Sequence, residues 1–202
     1  MKTKGLWRRW LVAAVALTLS SLAIAQASSE DSEETRWFVV DSLNVGLDAP
    51  PEAVERVTPR QSMRSFQALT EKEDFAAAAH VLNLADVPPA EQQQKGAQLA
   101  QELAEVLKRG ELLQVSDLSG RQDAAIEDPS GQNPLAGQPR RNIELAALQV
   151  EGQAYDVRLG RYRVGEEDPI WLIMPESVSS IPTLYEEYGP SMLESYIPER
   201  FK

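Results

Sequence analysis

Residues 143–174 read IELAALQV-EG-QAYDVRLGRYRV-GEEDP-IWLIM, and their punctuation decides the fold. β-branched and aromatic residues come in short runs, broken at Glu151-Gly152 and again at Gly165 to Pro169, where turn-forming residues collect. The spacing predicts strands over Ile143 to Val150, Tyr155 to Tyr162 and Ile170 to Met174, with a tight hairpin at Glu151-Gly152. Leu112 to Val115 reads as one more strand ahead of them. Together they predict a four-stranded antiparallel meander.

Upstream the apolar period lengthens to that of a helix. Thr58 is placed to cap a helix that starts with Pro59, and Gln61 stands at the capping-box position. Met63, Phe66 and Leu69 line its face. A second helix follows from Asp74, with Phe75, Ala78, Ala79 and Leu82 on one side. Pro89 opens a third and longer one that ends at Gly110. Its stripe is Leu99, Leu103, Val106 and Leu107, with Glu91–Lys95 and Glu105–Arg109 paired four apart on the polar side. Gly96 inside it marks a kink or a close crossing. After the strands, Val178, Ile181, Leu184, Tyr185 and Tyr188 share a helix face that Gly189 ends. A final turn from Pro190 groups Met192, Leu193, Tyr196 and Ile197. Helices followed by strands define an α+β domain, with three N-terminal helices packed on a four-stranded antiparallel meander and short C-terminal helices.

Lys2, Lys4, Arg8 and Arg9 precede an apolar run from Trp10 to Ile24, and Ala25-Gln26-Ala27 supplies small residues at its end. This is the pattern of a secretory signal peptide over residues 1–27. An uncleaved anchor is the alternative, although a span of the hydrocarbon layer needs about twenty apolar residues. Residues 28–57 are expected to form a disordered leader and an extended connector, and 58–202 a single α+β domain. Within that domain the polar, proline-containing stretch 116–142 reads as a mobile loop. Trp37-Phe38-Val39-Val40 is a short apolar run that either adds a strand or docks on the body.

The net charge is 20 − 31 = −11. Removing the four cations of the signal gives −11 − 4 = −15 for the remainder. Such a charge repels nucleic acid and anionic headgroups, so nucleic acid is not an expected partner. With no cysteine in the chain, disulfides, thiolate zinc sites and cysteine nucleophiles are excluded. His80 is the only histidine, and on a helical wheel it lies off the apolar stripe, so it reads as solvated. No HExxH, GxSxG, Walker or EF-hand pattern occurs. Glu166-Glu167-Asp168 and Glu186-Glu187 read as solvated acids, because neither setting desolvates a carboxyl as acid catalysis requires. Arg158, Arg161 and Arg163 are the densest cationic cluster of the strands. Alternation puts Arg161 and Arg163 on one face, where they either neutralise nearby acids or hold an anion.

Several segments together resemble the N-terminal extramembrane region of bacterial small-conductance-type mechanosensitive channels. They are Asn44-Val45-Gly46-Leu47, Thr58-Pro59-Arg60 through Phe66, Phe75 through Leu84 with His80 inside, Pro88 to Gln92, the Leu99/Leu103/Leu107 helix, Ile170-Trp171, and Pro175 on to Ile181-Pro182 and Leu184 to Pro190. The resemblance implies a sensor-like exported domain outside the cytoplasmic membrane. The chain stops at Lys202, about where the family's membrane helices begin, so pore and gating are not carried over.

The expectation is therefore a non-enzymatic periplasmic domain, with no cofactor or metal, that associates with an envelope or transmembrane protein such as a mechanosensitive channel. Tyr188, Met192, Leu193, Tyr196, Ile197 and Phe201 are the candidate partner or membrane contacts, and Arg161 with Arg163 the candidate anion contact. The alternative is a periplasmic small-ligand-binding domain whose pocket lies between helices and sheet. Phe66, Phe75, Tyr155 and Trp171 either line such a pocket or fill the core.

Overall fold

A strand longer than any of its partners organises the sheet. The computed structural model describes residues 36–109, 114–128 and 130–190. Within it β1 (Phe38–Val40), β2 (Asn142–Val150), β3 (Gln153–Val164) and β4 (Ile170–Ile173) form one sheet. β2 and β4 pair antiparallel with β3, whereas β1 pairs with it parallel. Gly160 stands opposite both Asn142 and Leu172, and Tyr162 opposite both Phe38 and Ile170. β2 and then β1 therefore share one edge of β3, and β4 takes the other.

The α+β class expected from the sequence is what the chain adopts, with a mostly antiparallel sheet. Its fourth strand is a different one from that expected. Leu112 and Leu113 lie outside the described residues, and Val115 begins a single 3-10 turn, Val115–Asp117. The fourth place is filled by Phe38–Val40, because β2 stops pairing at Gly160 and leaves the last residues of β3 open. A short apolar run satisfies those open backbone groups at the edge.

The predicted hairpin forms where expected. Glu151 (φ 50°) and Gly152 (φ 84°) are both left-handed, the conformation a two-residue turn needs to match strand twist. In β2 the register slips between Glu144 and Ala146, leaving Leu145 as an extra residue. This bulge explains why Ile143 and Ala146, three apart, are both buried, while normal alternation resumes with Leu148.

Helix α1 (Pro59–Thr70) is capped by Thr58, whose Oγ1 accepts from Gln61 N at 3.1 Å. The capping box does not close: Gln61 Nε2 donates instead to Glu55 Oε2. Met63, Phe66 and Leu69 are buried as expected, and the buried Ser62 donates its hydroxyl to Trp171 O at 2.9 Å. Helix α2 (Phe75–Ala78) is shorter than its periodicity predicts and tightens into a 3-10 turn, Ala79–Val81. It stops because Leu82 becomes extended and bridges Ile173, with Asn83 N donating to Ile173 O. After a 3-10 turn at Pro89–Glu91, helix α3 (Gln92–Arg109) buries Gln92, Gly96, Ala100, Leu103, Val106 and Leu107. Gly96 is a close crossing, since a Cβ there would stand 2.9 Å from Leu84 Cδ1 and 3.1 Å from Ala79 Cβ. The Glu91–Lys95 pair forms at 2.6 Å.

Helix α4 (Pro175–Tyr188) accommodates Pro182 and buries Val178, Ile181 and Leu184. It packs against α3 on one side and β2 and β3 on the other, while α1 meets β4 and α3 packs mainly on α2 and α4. The expected layer of three N-terminal helices on the sheet is thus replaced by one in which the C-terminal helix lies next to the strands. Only Met174 separates β4 from α4, so the chain turns straight back across the sheet. The expected final turn from Pro190 lies outside the described residues apart from Pro190 itself.

The stretch expected to be a mobile loop, 116–142, makes defined contacts with the body. Trp171 Nε1 donates to Gln122 O at 2.8 Å and Arg60 Nε to Leu118 O at 2.8 Å, while within the stretch Arg140 N donates to Asp123 O at 2.9 Å. Ala124 and Ala125 are buried.

Candidate functional site

The connector, residues 44–57, has no helix or strand and turns twice, with Leu47 N donating to Asn44 O and Val54 N to Pro51 O, and its first residues are fixed by side-chain amides. Asn44 Nδ2 donates to Leu82 O at 2.8 Å, and its Oδ1 accepts from Leu84 N at 2.9 Å. One short side chain thus does for Leu82 to Leu84 what a neighbouring strand would do. Gly46 N donates to Gln92 Oε1, and Gln92 Nε2 donates to Leu84 O and Val87 O. Gln92 is 3% exposed, and these three bonds settle the polar group that α3 buries.

Farther along, Trp171 N donates to Arg56 O at 2.8 Å, fixing the connector to β4. Between these two attachments a cleft of about 440 Å³ opens, with Arg56, His80 and Tyr162 along its inner part. Leu43, Val45, Leu47, Val164 and Ile170 give it apolar walls, and the exposed Asp48, Glu167 and Asp168 border it.

His80 is not solvated, as its wheel position predicts, but 7% exposed. The wheel assumes 100° per residue, and the chain has already left the α-helix at Ala79 for a 3-10 turn of about 120°. The connector then closes over it. His80 O accepts from Arg56 Nη1 at 3.0 Å. Burial, and after it the positive charge of Arg56, lower the imidazole pKa, with Asp48 pulling the other way. Burial also lowers the pKa of Arg56. The Tyr162 hydroxyl is pushed up to about 12, chiefly by desolvation, with Asn83 opposing.

The candidate anion contacts are held by aromatic partners. The Arg161 and Arg163 guanidinium carbons lie 5.3 and 5.2 Å from the Trp37 ring centroid, within cation–π range. Strand alternation puts them on Trp37's side, while Tyr162 stacks on Phe38 with centroids 5.2 Å apart. Arg141 lies 4.3 Å from the Phe38 ring centroid. Arg163 also pairs with Glu166 at 3.1 Å and donates to Gly165 O. Arg161 is 6% exposed. Arg158 pairs with Glu144 and Asp156.

Of the candidate partner contacts, Tyr188 packs against the core and its hydroxyl donates to Gln149 O at 2.7 Å. Met192, Leu193, Tyr196, Ile197 and Phe201 lie outside the described residues. Phe66 and Trp171 are buried in the core, with Phe75 and Tyr155 packed at its border, so no pocket is built from these four. Among the described residues no helix is long and apolar enough to cross a membrane, and no group of three acidic or histidine side chains is placed to hold a metal.

Sequence reasoning named Asn44 and Gln92 only within the family resemblance, without their bonding roles, and missed Arg56. A signal for Gln92 was present: it stands four residues before Gly96 and eight before Ala100, in phase with the apolar face of α3. No protein-family model, curated protein or solved structure matches this chain.

Proposed function

We propose that this chain is a non-enzymatic domain exported to the periplasm, akin to the outer sensor or regulatory region of small-conductance-type mechanosensitive channels. It works by association with an envelope or transmembrane protein near the membrane. One observation carries the reading: the residues on which the resemblance rests, far apart in sequence, meet in space. Asn44 meets Leu82 and Leu84, Gly46 meets Pro89 and Gln92, and Ser62 reaches Trp171. Residues used in this way specify a scaffold, which supports a likeness of architecture, and in this reading the domain acts through what it touches.

The contact surface in this reading is the stretch after α4. Met192, Leu193, Tyr196, Ile197 and Phe201 place five large apolar residues in the last eleven, and Tyr188 ties the helix before them to β2. Aromatic rings with polar tips suit the membrane boundary, while the acidic body is held off anionic lipid.

Deleting Pro190 to Lys202 tests this. Loss from the membrane fraction with an unchanged melting temperature is the expected result. A large fall in melting temperature with unchanged fractionation refutes the contact role. Export is read separately by N-terminal sequencing of protein from its host, expected to begin at Ser28; a start at Met1 in a soluble cytoplasmic fraction overturns it.

A further inference from the structure

The cleft beneath the connector has a distribution of charge that the scaffold does not explain. Arg56 is half-buried, and its guanidinium donates to one backbone carbonyl, that of His80. Among the described residues no carboxylate is within ion-pair distance of it. A partly desolvated cation without a counter-charge is costly, and a carboxylate brought to it in bidentate geometry repays that cost. The acids that border the same cleft, Asp48, Glu167 and Asp168, are all exposed. The same cleft is also lined by apolar side chains, Leu43, Val45 and Ile170 among others. The volume, about 440 Å³, lies in the range of small-molecule sites, roughly 300–1,000 Å³.

We infer that this cleft binds a free amino acid with an apolar side chain, its carboxylate on Arg56, its ammonium toward Asp48, Glu167 and Asp168, and its side chain against the apolar wall. The polarity follows from the depth of the two charges. A ligand the other way round would put its carboxylate among three carboxylates and its ammonium against a guanidinium. The inference stands apart from the association role and holds whether or not the chain is exported.

The two ends are unequal. A charge-assisted bond to a half-buried guanidinium is strong, whereas pairs between exposed charges are weak. Loss of the carboxylate is therefore expected to weaken binding by about tenfold or more, and loss of the ammonium by only about two- to fivefold.

The test titrates the full chain by calorimetry and by NMR with L-leucine, 4-methylpentanoate (no amine), 3-methylbutylamine (no carboxylate) and L-alanine (short side chain). L-leucine is expected to bind tightest and 3-methylbutylamine weakest. Arg56→Gln is expected to abolish the preference for L-leucine over 3-methylbutylamine. Asp48→Asn with Glu167→Gln and Asp168→Asn changes only exposed side chains, so the fold stays intact; it is expected to abolish the preference over 4-methylpentanoate. If Arg56→Gln fails to fold, the wild-type ranking and the exposed triple variant still decide. No binding of L-leucine at 10 mM, or equal binding of L-leucine and both analogues, overturns the inference.

Discussion

Gly46→Ala isolates what holds the connector to the helices. Gly46 is not in the left-handed region, so an alanine there meets no backbone penalty of its own. The obstacle is space: an added Cβ would stand 1.9 Å from Pro89 O, 2.7 Å from Pro89 C and 2.9 Å from Pro89 Cα. All three are backbone atoms at the start of a helical turn and cannot rotate away. The connector has to lift, and lifting stretches the 2.8 Å bond from Gly46 N to Gln92 Oε1. An unsatisfied buried acceptor costs about 1–3 kcal/mol, and overpacking costs about 1–3 kcal/mol more. The expected loss is therefore about 3 kcal/mol. For a domain of this size that is a fall in melting temperature of roughly 6–12 °C. Thermal unfolding followed by circular dichroism measures it. Hydrogen exchange adds a local reading, because the Leu84 amide, bonded to Asn44 Oδ1, is expected to lose protection along with the connector. A variant within about 0.5 kcal/mol of wild type, with Leu84 still protected, refutes the reasoning.

Other outcomes follow from the turn and the histidine. Glu151 holds φ 50° in the hairpin, where asparagine is at less cost; Glu151→Asn is expected to gain about 0.5–1 kcal/mol in urea denaturation, and a loss of stability contradicts the turn assignment. His80 has its folded pKa below the ordinary 6.5, first through burial and then through Arg56. The unfolded chain therefore takes up the proton first, so this group's contribution is complete above about pH 6.5 and declines below it, by at most about 1.4 kcal/mol per pH unit. Urea denaturation at pH 7.5, 6.5 and 5.5 is expected to show a shallower dependence for His80→Gln than for wild type; identical slopes contradict the burial of the imidazole.

Local chemistry made much of the architecture readable in advance. Thr58 with Pro59, the 3.6-residue stripe of α1, and Glu151-Gly152 between two β-branched runs each encode an element within a few residues, because caps, turns and amphipathic faces are short-range. The α+β class follows from their order alone. The same locality explains the errors. The sequence left Trp37 to Val40 open between a strand and a docked segment, because β1 is three residues long, has no turn of its own and is a strand only where the end of β3 is left open. The end of α2 depends on Leu82 meeting Ile173, ninety-one positions away by number (173 − 82). His80 changed from exposed to buried once the helical wheel ceased to apply.

The candidate site was less legible than the fold. Its parts come from the connector, from the 3-10 turn after α2, and from the end of β3, the turn after it and the start of β4, so no window of sequence contains them. Arg56 reads in sequence as one of many surface cations. Only the folded chain shows that it stands half-buried beside His80, with no carboxylate of the described residues within ion-pair distance. Likewise, Arg161 and Arg163 were visible as a pair on one strand face, but Trp37, which comes more than a hundred residues earlier, was not visible as the ring they share. The sequence by itself determined the class, the helix caps, the hairpin and the placement of most core residues, since each depends on propensity and period. Tertiary structure decided which strand completes the sheet, which helix covers it, and where charge is buried, since each depends on what distant residues leave open.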